Sequence, residues 1–269
     1  MTASSPRAVR SRIIGSEKLR AGFYLLRLDA PEIARVYTPG QFILLRGLAP
    51  DWPYLRRPFS IYRSDQDATI EVVYKVVGRA TTVMSGLAEG EYEVLGPLGK
   101  GFALRPGYTK TVALAGGAGL PPVACYCERY VGVLDGVTLV VGAKTGQELL
   151  VPVGMLAQGI DLRSYTEDGS KGSKGTVVDG LVRLLGELAG GARAVQVIAC
   201  GPREMLSEVA RVCRDSCVPC DVSVEEMMAC GLGACLGCAV PRVGGGYLHA
   251  CQDGPVLDAA MVDWESWKS

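Results

Sequence analysis

The sequence predicts an α+β protein of several domains: a small antiparallel β-barrel, a doubly wound α/β domain and a small cysteine-rich subdomain. Three observations predict this class. Roughly the first hundred residues hold short β-forming segments at regular spacing with turn signals between them. From Tyr108 onward, buried strands alternate with helices, which is typical of a parallel sheet covered by helices. Four closely spaced cysteines then follow, between residues 230 and 251.

The barrel is predicted from six β-forming segments and one short helix. These are Val9–Ile14, Phe23–Leu28, Phe42–Leu45, Pro58–Tyr62, Thr69–Val77 and Tyr92–Leu95, with the helix beginning near Ala80. Two stretches suit a phosphate: Arg56–Tyr62, because arginine pairs with phosphate oxygens through two bonds, and Gly78–Thr82, because it stands at a helix N-terminus. Taken singly, an edge strand with basic residues and a threonine-capped helix is the favoured interpretation of such short patterns.

The α/β domain begins with a glycine-rich turn. The strand Thr111–Ala115 leads directly into Gly116–Pro122 and then into a helix that runs to about Tyr130. Glycines at this point let the backbone approach a diphosphate, and the helix N-terminus supplies positive potential. The later strands are expected at 137–142, 161–165 and 194–199, and the later helices at 177–188 and 203–214. The second strand ends without an acidic residue or an arginine pair, so the choice between NAD and NADP stays open.

The cysteine array has the spacing C-x4-C-x2-C-x12-C. Its members are Cys230, Cys235, Cys238 and Cys251. The first three reproduce the ligand spacing of plant-type [2Fe–2S] clusters. The glycines between them allow the loop to adopt positive φ and bring backbone N–H groups close to the sulfurs. A four-thiolate zinc site is the alternative, but zinc sites more often contain two C-x2-C pairs, so the spacing favours the iron–sulfur cluster.

The charge balance and the cysteine content indicate which partners and which cellular compartment to expect. Lys+Arg and Asp+Glu balance at 28 each, which speaks against a nucleic acid or an anionic membrane as partner. No apolar run reaches the length of a membrane span, and the first residues lack a signal peptide's apolar core, so we expect a cytoplasmic protein with thiols rather than disulfides.

The remaining C-x3-C-x2-C, Cys213–Cys220, runs from a helix into a strand and is not expected to bind a cluster. The nearest approach to a flexible loop is Asp168–Gly175.

Together these motifs resemble the ferredoxin–NADP reductase superfamily and, within it, the electron-transfer subunits of NAD-linked (class 1B) dihydroorotate dehydrogenase. The motifs are Arg56–Ile61, Leu95–Phe102, Gly116–Pro122, Cys200–Pro202, Met228–Cys235 and Cys251–Val256. The pairing of the cluster loop with the segment Cys-x-Asp-Gly-Pro-Val is the most specific of them. We therefore expect an FAD-binding barrel over residues 1–104, an NAD-binding domain over 105–222 and a [2Fe–2S] subdomain over 223–269.

The resemblance implies which residues hold each cofactor. FAD would be held by Arg57, Pro58, Phe59, Ser60, Tyr74, Lys75, Val76, Gly78, Ala80 and Thr81, NAD by Gly117, Gly119, Pro121, Cys200, Gly201 and Pro202, and the cluster by the four cysteines. Ser60 would lie near the isoalloxazine, Arg57 on the FAD diphosphate, and Cys200–Pro202 near the nicotinamide. The family usually has Gly-Thr where this chain has Ala80 and Thr81. No side chain is needed as a general base, and the sole histidine, His249, is interpreted as a loop residue.

The three cofactors predict an electron converter. A [2Fe–2S] cluster passes single electrons, NAD accepts a hydride, and a flavin does both. The expected flow runs from a partner's flavin to the cluster, to FAD and to NAD. The resemblance implies that the partner holds FMN, oxidises dihydroorotate in pyrimidine biosynthesis, and forms a heterotetramer with two copies of each subunit. The chain has no room for that partner's barrel of about 250 residues, so dihydroorotate oxidation is expected only with the partner.

Two other functions stay open. One is a reductase subunit with the same cofactors that serves a hydrogenase, a sulfide dehydrogenase or an oxygenase. The other is a non-enzymatic binding module stapled by zinc on the four cysteines.

Overall fold

The computed structural model describes residues 6–20, 22–48, 52–152, 158–188 and 194–267. The first domain is a curled antiparallel sheet with strand order β4-β3-β7-β1-β2-β6-β5. Its strands are β1 (Arg7–Lys18), β2 (Phe23–Asp29), β3 (Phe42–Gly47), β4 (Arg57–Ser60), β5 (Arg63–Ser64), β6 (Thr69–Lys75) and β7 (Glu91–Leu98). The segment 57–64 closes the barrel, because its first half pairs with β3 and its second half pairs with β6. The predicted barrel is confirmed.

Side-chain alternation along the strands builds the barrel core. Successive side chains of a strand point to opposite faces of the sheet. On β6, Ile70 and Val72 therefore point into the core while Glu71 and Val73 face outward. The helices α1 (Pro31–Ala34) and α2 (Arg79–Ser85) add buried residues to this core. The outward face of β6 is thus left free to line a site.

The second domain is the predicted doubly wound sheet. It has the strand order β11-β10-β9-β8-β12-β13-β16. The strands are β8 (Lys110–Gly116), β9 (Gly136–Ala143), β10 (Asp161–Thr166), β11 (Ser173–Lys174), β12 (Val195–Cys200) and β13 (Cys220–Ser223), with helices α3 (Leu120–Tyr130), α4 (Val177–Glu187) and α5 (Arg203–Asp215). Helix α3 packs on one face, and α4 and α5 pack on the other. Because both faces are covered, β8 is buried along its length except at Lys110, as its continuous apolar run predicts.

The cysteine-rich subdomain is joined to the α/β sheet. It contains β14 (Ala239–Pro241), β15 (Tyr247–His249) and β16 (Val256–Asp258). Strand β16 pairs antiparallel with β13 and so becomes the edge of the large sheet. Arg105, in the segment between the first two domains, lies 2.6 Å from Asp221 on β13 and 3.0 Å from Asp258 on β16. All three parts of the chain therefore meet at this edge, and the domain boundaries stay a prediction.

The segment Asp168–Gly175 differs from the sequence interpretation. Ser170 Oγ accepts a hydrogen bond of 2.7 Å from the Gly146 amide, and β11 extends the sheet. A Cβ at Gly172 would lie 2.2 Å from the Ser164 carbonyl oxygen, so the close packing of this turn requires glycine. The segment therefore folds as a hydrogen-bonded turn followed by a two-residue strand. Within the described ranges, no helix has the length and apolar character needed to cross a membrane.

Candidate functional site

A large cavity of about 1430 Å³ lies where the barrel, the α/β domain and the cysteine-rich subdomain meet. Sites for drug-sized ligands span roughly 300–1,000 Å³, so this cavity has room for a dinucleotide. Eight residues predicted from the sequence line it: Arg57, Pro58, Phe59, Ser60, Tyr74, Lys75, Thr81 and Pro121. A set of residues scattered over the sequence is thus brought together in one cavity.

The barrel wall of the cavity combines aromatic rings with one available arginine. The ring of Phe59 packs edge-on against Tyr74 at 5.9 Å, and Tyr74 stacks on Tyr24 at 5.7 Å. Arg56 is 3.2 Å from Glu93 and is therefore engaged in an ion pair. Arg57 lines the cavity, and among the described residues it bonds to carbonyl oxygens of its own loop and not to a carboxylate, with the Leu55 bond at 2.9 Å. Of the two arginines, Arg57 is therefore the better placed to bind a phosphate.

The N-terminus of α2 explains the departure from the usual Gly-Thr. The hydroxyl of Thr81 accepts hydrogen bonds from the amides of Val77 and Gly78 at 3.0 and 3.1 Å. It also donates one of 2.9 Å to the Gly78 carbonyl. The side chain of Ala80 is buried in the barrel core, so its methyl group packs where glycine would leave space. Thr81 reaches the cavity, whereas Val76, Gly78 and Ala80 do not line it.

The glycine-rich turn after β8 packs against the segment that follows β12. A Cβ at Gly119 would lie 2.2 Å from the Cys200 carbonyl oxygen and 2.7 Å from the Gly201 amide nitrogen. Gly117 has a φ of +53°, which favours glycine. Pro121 and its neighbour Ala118 line the large cavity. The two segments predicted to bind NAD are thus in direct contact.

The backbone of Cys200 packs against the glycine-rich turn, whereas its thiol is buried. Its side chain is 1% exposed. Burial raises the pKa of this thiol far above its ordinary value, so the thiol stays neutral and unreactive. The next two residues, Gly201 and Pro202, line a smaller cavity of about 180 Å³.

The cysteine array is surrounded by backbone donors. The Cys230 sulfur accepts hydrogen bonds from the amides of Leu232 and Cys235, both at 3.4 Å. The Cys251 sulfur accepts one of 3.2 Å from the Gly233 amide, and the Cys238 sulfur one of 3.4 Å from the Cys251 amide. The donors from Leu232 and Cys235 lower the pKa of the Cys230 thiol to about 6. These donors fit thiolates that carry the negative charge of a metal cluster.

The thiols of the four cysteines lie near one another. Cys230 interacts with Cys235, and Cys251 interacts with both Cys238 and Cys230. A [2Fe–2S] cluster takes two cysteine ligands on each of its two irons, so these four neighbouring thiols can supply its full set of ligands. Cys238 is buried and its neighbours Gly237 and Ala239 line the large cavity, whereas Cys235 is exposed.

The structure adds residues that the sequence analysis missed. Glu225, Glu226 and Met228 follow β13 and line the large cavity, together with Arg203 and Trp267. Glu225 had a signal, because ligands of an open α/β sheet bind outside the carboxyl ends of its strands. Trp267 had none, because only the tertiary fold brings it to the cavity.

Glu225 should make stability depend on pH. Its carboxyl reaches into the cavity, and desolvation by the surrounding protein raises its pKa above the ordinary value of 4.5. A raised folded pKa means that Glu225 stabilises the fold fully below the unfolded pKa and loses this contribution as pH rises through the folded pKa. Because Glu225 is also exposed to solvent, water screens this contribution, and we expect Glu225→Gln to raise the Tm by only about one degree or less at pH 8 and to leave it unchanged near pH 4. Thermal melts across this range measure it, and Glu89→Gln, at an exposed position that lines neither cavity, is the matched control.

Comparison with known proteins agrees with this geometry. The sequence profile of the iron–sulfur cluster binding domain of dihydroorotate dehydrogenase B matches residues 225–263. The "Dihydroorotate dehydrogenase B (NAD(+)), electron transfer subunit" of Desulforamulus reducens is 34% identical, over 90% of this chain and 93% of its own. That of Clostridium acetobutylicum is 35% identical over 89% and 91%. The iron–sulfur prediction is confirmed, and the zinc module loses its support.

Solved structures of two reductases have a fold similar to that of this chain. The structure of an NADH-dependent reduced ferredoxin–NADP oxidoreductase, studied for flavin-based electron bifurcation, is similar with a TM-score of 0.83 and 26% identity over 98% of this chain and 92% of that one. The ferredoxin reductase of carbazole 1,9a-dioxygenase is similar with a TM-score of 0.69 and 20% identity, over 81% and 68%. The fold class is therefore confirmed. With identity of 34% over nearly all of its length, the chain belongs to the family of electron-transfer subunits of NAD-dependent dihydroorotate dehydrogenase B.

Proposed function

We propose that this chain receives electrons from a partner subunit that oxidises dihydroorotate and delivers them to NAD, as a step of pyrimidine biosynthesis. It would hold FAD in the large cavity and a [2Fe–2S] cluster on Cys230, Cys235, Cys238 and Cys251. The relatives' description as the electron transfer subunit of dihydroorotate dehydrogenase B (NAD(+)) supports this role. We further propose that the partner holds FMN, that two copies of each subunit assemble, and that the complex is cytoplasmic.

One observation carries the proposal: a single cavity has walls from all three parts of the chain. Ser60 comes from the barrel, Pro121 from the glycine-rich turn of the α/β domain, and Gly237 from the cluster loop next to Cys238. Groups bound in this cavity, at the turn and on the cysteines would therefore be close neighbours. Proximity is what electron transfer between them requires, and it needs no catalytic acid or base.

The chain's own residues have binding and positioning roles. Arg57 binds phosphate, Phe59 and Tyr74 present flat apolar rings, and Ser60 offers a hydroxyl. The helix N-terminus after Gly119 attracts the NAD diphosphate. Backbone amides of the loop 232–235 stabilise charge on the sulfurs. When bound, the cluster exchanges single electrons, NAD exchanges a hydride, and the flavin links the two.

The test is a visible absorption spectrum of protein purified without air, followed by addition of NADH. We expect flavin bands and a broad iron–sulfur absorption, both of which bleach with NADH. The chain alone should reduce an artificial acceptor with NADH but should not oxidise dihydroorotate until the FMN subunit is added. A colourless protein with one zinc ion would contradict the proposal.

A second candidate is a reductase subunit that serves another complex. Hydrogenase, sulfide dehydrogenase and oxygenase were the partners considered for it, and the similarity to the ferredoxin–NADP oxidoreductase, with a TM-score of 0.83, adds a ferredoxin-linked complex to them. The two candidates share cofactors and differ in the electron donor. Reduction of the chain by ferredoxin and not by a dihydroorotate-oxidising subunit would establish the alternative.

A further inference from the structure

The smaller cavity has one wall that the proposed function does not explain. It is lined by six residues: Gly201, Pro202, Arg203, Leu206, Glu225 and Trp267. The first two belong to the segment predicted to lie near the nicotinamide. Trp267 lies more than fifty positions further along the chain, beyond the cluster loop. It also lines the large cavity, as do Phe59 and Ser60 of the barrel, so it belongs to the walls of both cavities.

Trp267 is fixed in place by several contacts. Its ring lies over the Arg203 guanidinium with 4.7 Å between the ring centroid and Cζ. Its Nε1–H donates to Glu226 Oε1 at 2.7 Å, and its backbone amide donates to the Asp263 carbonyl at 3.0 Å. The ring of Trp264 packs behind it at 5.5 Å. With only 6% of its surface exposed, Trp267 is a rigid part of the cavity wall.

Arg203 is held by the same contacts. Its Nη1 donates to the Trp267 carbonyl at 3.4 Å, and its Nη2 lies 3.9 Å from Glu226 Oε1. Glu226 thus accepts from the indole and attracts the guanidinium. Arg203 is the first residue of α5 and directly follows Pro202. Its contacts with Trp267 and Glu226 therefore hold the segment after Cys200 close to Trp267. Loss of the indole would widen the small cavity and release Arg203.

We propose that Trp267, locked to Arg203 through Glu226, forms the wall that positions the nicotinamide half of NAD(H) in this chain. The inference deepens the proposed function and rests on it. A rigid aromatic wall restricts where a planar ring can lie, and correct placement of the reacting ring governs the rate of hydride transfer. The diphosphate is assigned to the glycine-rich turn, so the inference places the adenosine half away from this wall.

The test compares two ligands that differ only in the nicotinamide. The protein loaded with FAD and cluster is titrated with NADH, or NAD, and with ADP-ribose, which lacks the nicotinamide. We expect Trp267→Ala to weaken NADH binding by about 2- to 12-fold, the range that such an aromatic contact contributes. ADP-ribose binding should stay within experimental error of wild type. Flavin reduction at saturating NADH should slow by roughly tenfold or more, because the ring is no longer held in place.

Two further variants separate a local role from a general loss of structure. Trp267→Phe keeps the aromatic wall and should retain most of the NADH affinity. Trp264→Phe alters the tryptophan behind it, which lines neither cavity, and should change neither ligand. Equal weakening of NADH and ADP-ribose by Trp267→Ala, or no weakening of either, would overturn the inference. Failure of wild-type flavin to be reduced by NADH would instead overturn the proposed function, so the two failures are distinguishable.

Discussion

Replacement of Cys238 by serine should abolish electron transfer from the partner while leaving electron transfer from NADH to the flavin in place. Cys238 and Cys251 are the two buried cysteines of the array, and the neighbours of Cys238, Gly237 and Ala239, line the large cavity. Loss of Cys238 would leave three thiolates for the cluster, with the missing ligand on its buried side. We expect dihydroorotate-dependent NAD reduction by the complex to fall by at least about 100-fold, since even groups behind the metal ligands contribute 10- to 100-fold.

The measurement pairs two activities with a metal analysis. NADH oxidation with an artificial acceptor that reacts at the flavin should stay within about twofold of wild type, because no cysteine takes part in that route. Iron content should fall. Cys217→Ser is the matched control, because Cys217 is an exposed cysteine outside the array and should change neither activity nor iron. Full partner-dependent activity in Cys238→Ser would contradict the assignment of this residue as a cluster ligand.

Periodicity in the sequence was sufficient to predict the two large sheets. The alternating segments of the first domain and the continuous apolar runs of the second reflect sheets covered on one face and on both faces. The cluster loop was also predictable, because ligand spacing and glycine content are local properties. Short elements such as α1, β5 and β11 carried too few residues for a periodic signal.

Strand geometry bears on the flavin contacts predicted at the end of β6, which stay a prediction. The predicted set Tyr74, Lys75 and Val76 is contiguous, but a strand turns alternate side chains to opposite faces. In the structure the outward residues Val73, Lys75 and Val77 line the cavity, together with Tyr74. Val76 packs against the barrel core instead.

Residues from distant segments could not be predicted. Trp267 reaches both cavities because β16 adds to the edge of the α/β sheet and the segment after it returns to Arg203 at the start of α5. No local pattern encodes this return. For Cys200, the sequence indicated the segment to which it belongs but not that its thiol is inaccessible. That inaccessibility depends on burial by neighbouring elements of the fold.

Substitution of Gly119 by alanine should disrupt the NAD site from within the backbone. The added Cβ would lie 2.2 Å from the Cys200 carbonyl oxygen, 2.4 Å from its carbon and 2.7 Å from the Gly201 nitrogen. All three are backbone atoms at the end of β12, so relief requires the turn and the strand end to separate. Overpacking of this kind costs about 1–3 kcal/mol of folding free energy. We expect the KM for NADH to rise by roughly tenfold or more, since small displacements of a binding segment have large effects on reaction geometry.

A second glycine variant separates the clash at Gly119 from the general cost of replacing a glycine. Gly132 has no atom within 4 Å of its added Cβ, so Gly132→Ala should change stability by no more than about 0.5 kcal/mol and leave the KM unchanged. Urea unfolding and NADH titration of both variants provide the comparison. If the turn and the segment after Cys200 hold NAD jointly, Gly119→Ala must weaken ADP-ribose as well as NADH, because the diphosphate contact is shared by both ligands. A loss confined to NADH would show instead that the clash acts on the nicotinamide end alone, and that the glycine-rich turn does not bind the diphosphate.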